Sequence, residues 1–147
     1  MTYSALTRRY FDRADGAGVL TGPRVARGAA GSRAQGTWLQ FDLAWRLPTA
    51  PPLLGAAPAP QIEAARFLAF ACPHTIAVAS WVVECSVGRA VSAKLPEPVQ
   101  AIAHRFDLPV AKLGRLLIVE DAWAAAAAAL IVAAGNGPAT RIAGCET

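Results

Sequence analysis

The chain has 147 residues, 54% of them hydrophobic and 16% charged, with a formal net charge of +4. That length suits one domain around one core, and so apolar a composition excludes disorder through the middle of the chain. The basic residues are scattered, with Arg8, Arg9, Arg13, Arg24, Arg27 and Arg33 weighting the N-terminal quarter, and form no stripe of the kind nucleic-acid binding needs. Three cysteines and no apolar leader predict a reduced, cytoplasmic protein without a disulfide framework.

Tyr3, Leu6, Tyr10 and Phe11 recur at helical spacing, which predicts a short amphipathic helix over residues 1–12, ended by Asp15-Gly16-Ala17-Gly18. From Val19 to Ala34 the chain has weak strand potential near Val25, and Gly28-Ala29-Ala30-Gly31-Ser32 reads as flexible. Leu39, Phe41, Leu43 and Trp45 then alternate with Gln40, Asp42, Ala44 and Arg46, the period of a strand with one face on a core. Prolines 48, 51, 52, 58 and 60 exclude regular structure from residues 47–60, a long hairpin loop. A strand over Ile62–Phe70 follows.

Three helices are expected next: Pro73 to about Val87, stopped by Gly88; Pro98 to Phe106; and about Lys112 to Ala134. The alanine run from Ala124 to Ala129 permits close packing. The apolar run Ala122–Ala134 is too short to span a bilayer and follows Glu120 and Asp121, so no membrane association is expected. Residues 135–147 read as a flexible tail. Strands first and helices afterwards give one α+β domain over residues 1–147, an antiparallel three-stranded meander with helices packed on one face.

Cys72 lies where the last strand turns into a helix. Pro73 suits the first helical position, which places Cys72 at the N-cap, facing free amides and the positive end of the helix dipole. Such surroundings favour thiolate over thiol; the plainer alternative is a cysteine used as a small hydrophobe.

Several stretches resemble the iron–sulfur cluster assembly scaffold family of the IscU and N-terminal NifU type. Ala65-Arg66-Phe67 through Cys72 to Thr75-Ile76-Ala77 and Ser80 is similar to that family's segment around its second cysteine. Leu108-Pro109-Val110-Ala111-Lys112-Leu113 with Glu120-Asp121-Ala122 is similar to the segment around its third cysteine. Gly31 to Phe41 is similar to the loop and strand of its first, and Tyr3 to Leu20 loosely matches its N-terminal helix. The resemblance implies a SufE/NifU-like fold and a [2Fe–2S], iron or zinc site. It also implies cysteine desulfurase or other iron–sulfur assembly factors as partners, and a non-enzymatic role.

The ligand positions depart from the family's pattern. Its first cysteine falls on Arg33, or on Ser32 with a one-residue gap, and its aspartate on Gln35. Its His–Cys pair falls on Gly114 and Arg115, which leaves Cys72 as the matching thiol. A cluster takes about four ligands, and zinc at least three. Cys85 is roughly 20 Å along the helix from Cys72 at about 1.5 Å per residue, and nothing positions Cys145. His74 could give one nitrogen, although a histidine on a first helical turn is more often a cap or a surface residue. On the inferred fold Arg33 and Arg115 either project toward Cys72 and make a cationic pocket in place of a metal site, or point to solvent as most arginines do. The partner strip Leu108, Pro109, Lys112 lacks the family's second proline.

Two functions follow from this pattern. One is a degenerate scaffold holding iron or a [2Fe–2S] cluster weakly, or with ligands completed by a partner or a second protomer. The other is a cluster-free adaptor, regulator or persulfide acceptor acting with a cysteine desulfurase. A thiol enzyme pairing Cys72 with His74 or His104 ranks below both, since neither histidine is followed by an orienting acid.

Overall fold

A computed structural model describes residues 3–48 and 59–135. Its elements are α1 (Ala5–Asp12), β1 (Val25–Ser32), β2 (Thr37–Arg46), β3 (Gln61–Phe70), α2 (Pro73–Ser86), α3 (Val99–Phe106), a 3-10 turn (Val110–Lys112) and α4 (Leu113–Gly135). The strands form one antiparallel sheet in the order β1-β2-β3. This is the expected α+β meander followed by helices. Residues 49–58 of the proline-rich hairpin connection and 136–147 of the tail, with Cys145, lie outside the described residues.

Alternation along β2 decides which way the sheet faces. Leu39, Phe41 and Leu43 are fully buried on one face, where Phe41 meets the ring of Trp123 on α4 edge-on at 5.3 Å. In register with Phe41 lie Gly28 on β1 and Phe67 on β3. α4 crosses β1 and β2, and α2 lies against β3. α1 packs on α2 and is tied to the end of α3 by the Ser4 hydroxyl, which donates to the Phe106 carbonyl at 2.8 Å. Ser4 also caps α1, accepting from the Thr7 amide at 3.1 Å, and so meets one of the helix's orphan donors.

β1 corrects an expectation. The Gly-Ala run that reads as flexible is an eight-residue strand, and its small side chains are the reason α4 can lie so close. A Cβ built on Gly28 would stand 2.1 Å from the Ala126 amide nitrogen. Gly28 and the alanine run are therefore two halves of one contact, in which backbone meets backbone without side chains between. At the hairpin that follows, Gly36 takes φ +81, and its amide donates to the Arg33 carbonyl at 3.0 Å; this left-handed backbone favours glycine.

On the helix-free face of the sheet, Asp42 is fully buried. It accepts hydrogen bonds from Arg27 Nε at 2.7 Å, Arg27 Nη2 at 2.9 Å, the Leu20 amide at 2.9 Å and Gln40 Nε2 at 3.3 Å. Burial pushes the carboxyl up, but Arg27, the Leu20 amide and Gln40 outweigh it and hold the group below its ordinary range. The segment carrying Leu20 reaches this face around the edge of β3, with the Gly18 amide donating to the Phe67 carbonyl at 2.8 Å.

The 3-10 turn and α4 together form a 26-residue run, long and apolar enough to cross a membrane by length and composition. That exceeds the Ala122–Ala134 run because the helix begins well before it. Its stripe of Leu116, Val119, Ala122, Trp123, Ala126, Ala127 and Leu130 is buried within the domain.

Gly28→Ala should cost at least about 2 kcal/mol in urea unfolding, because the backbone of α4 must retreat. Gly114→Ala, with nothing within 4 Å of the added carbon, should be neutral or add up to about 1 kcal/mol through helix propensity. Asp42→Asn should cost about 2 kcal/mol at neutral pH. Because the folded carboxyl is depressed, its contribution is present above the ordinary value of 3.8 and is lost as pH falls through the lower folded one. Acid unfolding curves of wild type and Asp42→Asn should therefore converge at low pH.

Candidate functional site

Cys72 is the N-cap of α2, with φ −76 and ψ 163, and Pro73 occupies the first turn. Its carbonyl accepts from the Thr75 and Ile76 amides at 3.0 and 3.1 Å, which starts the helix. The sulfur is half-buried and 3.4 Å from Thr75 Oγ1. Burial alone would push this thiol up. The Thr75 hydroxyl and amide, the Arg115 guanidinium and the Lys112 ammonium outweigh it and bring the thiol below its ordinary value.

The two cations arrive from the far end of the chain. Lys112 closes the 3-10 turn and Arg115 stands on the first turn of α4. Both act on His74 as well, lowering its pKa after burial, which is the larger cause. Expected at a cap or on the surface, His74 is instead 3% exposed, its ring 4.6 Å from Tyr3 in an edge-on contact. Its Nδ1 has no hydrogen-bond partner among the described residues. α1 packs along α2, and Tyr3, just ahead of it, lies against the His74 ring.

Of the other ligand-position residues, Arg115 acts on the Cys72 thiol from a helix rather than a loop. Arg33 extends over the ring of Phe70 at 5.8 Å. Gln35 is exposed in the β1–β2 hairpin, its amide donating to Ser32 Oγ at 3.2 Å. Gly114 is exposed at the start of α4. The strip ahead of α4 divides: Leu108 packs against the core, Pro109 is exposed and caps the 3-10 turn, and Lys112 belongs to the Cys72 corner. Cys85 lies thirteen positions along α2, and burial with Glu84 pushes its thiol up. His104 is exposed on α3.

Two members of this corner escaped the sequence reading. Thr75 was legible, because a hydroxyl three residues after an N-cap sits where a capping partner does. Lys112 was not, since only the placement of α4 brings it to α2.

The donor set here is one thiol with two cations beside it, and it does not fit a cluster or a tetrahedral zinc, whose ligands are several anionic or neutral donors. Among the described residues no group of three or more His, Cys, Asp or Glu is gathered where a metal could sit. What the corner suits is a sulfur anion. No model of a known protein family matches the chain, and no curated protein matches it.

Alkylation of Cys72 by iodoacetamide should titrate with a midpoint below that of an ordinary cysteine and shift upward in Lys112→Ala and in Arg115→Ala. An unshifted profile in both variants would remove the electrostatic account. His74 predicts a second pH effect. Its folded pKa lies below the ordinary 6.5, so the unfolded chain takes up the proton first, and stability falls as pH drops from 6.5 through the folded value. In His74→Phe that slope should disappear, leaving the loss due to Asp42 at lower pH.

Proposed function

We propose that the protein accepts sulfur as a persulfide on Cys72, acting as a cluster-free adaptor with a cysteine desulfurase. The observation carrying this reading is the Cys72 sulfur at a helix N-terminus beside Thr75, Lys112 and Arg115. Thiolate is the nucleophile in sulfur exchange, and hydrogen bonds and fixed positive charge beside it raise the thiolate share above that of an ordinary cysteine.

The Cys72 thiolate attacks the terminal sulfur of the donor's persulfide. A new sulfur–sulfur bond forms on Cys72, the donor's sulfur–sulfur bond breaks, and the donor cysteine leaves as thiolate. No external oxidant is required. Lys112 and Arg115 then face the new persulfide, whose anion they stabilise by the same charge. The desulfurase as donor comes from the family resemblance, and an adaptor of this kind turns over no substrate of its own.

The degenerate scaffold is the second reading. His74 Nδ1, a buried nitrogen without a partner among the described residues, is the one further donor near Cys72 that favours it, with the remaining ligands supplied by another chain.

Incubation with a cysteine desulfurase and cysteine, followed by intact-mass measurement, should show a one-sulfur increase in wild type and none in Cys72→Ser. Arg115→Ala should load roughly tenfold more slowly, as expected for loss of about 1.4 kcal/mol of anion stabilisation. A wild-type protein that never gains sulfur rules out the acceptor role. Anaerobic reconstitution with iron and sulfide tests the scaffold: a thiolate-to-iron absorption band lost in Cys72→Ser would favour it over the acceptor.

A further inference from the structure

At the opposite end of α2 from Cys72 lies an open hollow of about 260 Å³ lined by Ser86, Arg89, Ser92, Lys94, Leu95 and Trp123 among others. No carboxylate lines it among the described residues. The ion pairs found among those residues join Arg27 to Asp42 and Arg105 to Glu97, so neither Arg89 nor Lys94 is neutralised in this way. Two exposed cations therefore line one small hollow. The C-terminus of α2 opposes them with about half a negative charge, which two full positive charges exceed.

The walls are held before any ligand arrives. The Ile62 amide donates to the Arg89 carbonyl at 2.9 Å, the Gly88 amide to the Ile62 carbonyl at 2.7 Å, and the Val91 amide to the Pro60 carbonyl at 2.9 Å. Trp123 Nε1 donates to the Ser92 carbonyl at 2.9 Å, which ties the same wall to α4. Ser92 Oγ accepts from the Lys94 amide at 3.2 Å and keeps its own proton to donate. Ser86 is buried, and its hydroxyl donates to the Val82 carbonyl at 2.7 Å, leaving lone pairs to accept from a ligand hydroxyl. Leu95 supplies an apolar side. Drug-sized ligands occupy roughly 300–1,000 Å³, so this hollow suits a small ligand.

We propose that the cavity is a binding site for a small hydroxylated organic anion, its phosphate or carboxylate held by Arg89, Lys94 and the Ser92 hydroxyl, its hydroxyl by Ser86. The site is independent of Cys72 and of any sulfur transfer there.

Calorimetric titration with glycerol phosphate, glycerate and glycerol tests it. At least one of the two anions should bind and glycerol should not; which anion binds identifies the head group. Arg89→Ala and Lys94→Ala should each weaken binding at least about tenfold, the loss of one charge-assisted contact. Arg8→Ala, an exposed cation on α1, should leave it unchanged, as should Cys72→Ser. The proposal is overturned if neither anion binds, if glycerol binds as well as they do, or if Arg8→Ala weakens binding as much as Lys94→Ala. All these variants alter exposed or half-buried side chains, and thermal unfolding of each would show that the fold is kept.

Discussion

The approach of α4 to β1 governs the molecule. Gly28 lets the helix backbone reach the strand, and the alanine run lets it stay there, so at this crossing α4 meets β1 backbone to backbone while Trp123 packs on Phe41 beside it. Interiors packed to crystal-like density transmit such placement rigidly. With Ala126 fixed over Gly28, the start of the same helix is fixed too, beside the junction of β3 and α2. Lys112 and Arg115 are cationic neighbours of Cys72 because a glycine on an early strand sets the helix that carries them.

The same placement explains why one corner of the domain is electrostatically unlike the rest. A half-buried sulfur at a helix N-terminus ordinarily balances two opposing effects, since burial disfavours the anion and the dipole favours it. Here the Thr75 hydroxyl and amide, with Arg115 and Lys112 adding to them, tip that balance. His74 experiences the opposite outcome from the same charges, because what steadies an anion repels a proton. Two ionisable side chains two positions apart are thus pushed toward different charge states, with burial the larger cause for His74, the Thr75 hydrogen bonds the larger lowering cause for Cys72, and one pair of cations adding to both.

Much of this was legible in the sequence, and what was not has a common cause. The period-two run from Leu39 to Trp45 and the Cys-Pro junction at 72–73 declare themselves locally, through alternation and a fixed φ, and β2, β3 and α2 fall where those signals put them. β1 did not declare itself, because its glycines and alanines form a strand for the sake of a helix a hundred residues away. His74 reads as a surface histidine until α1 is laid over it. Arg115 was traceable by alignment to the resembling family's ligand position, whereas Arg33, traced the same way, lies on Phe70. Lys112 was noticed as part of a docking strip, not as a neighbour of Cys72. Each of these failures concerns a residue whose neighbours come from a distant part of the chain.

α2 is a straight rod with a thiol at its first residue's shoulder and another, Cys85, near its last turn. About thirteen rises of 1.5 Å separate them, and a disulfide needs its α-carbons within about 7 Å. An oxidised or sulfur-bearing Cys72 therefore has no resolving thiol within the described fold. Sulfur loaded there under the proposed role would leave only to a thiol outside the described residues, so its residence time would be set by that encounter and not by Cys85.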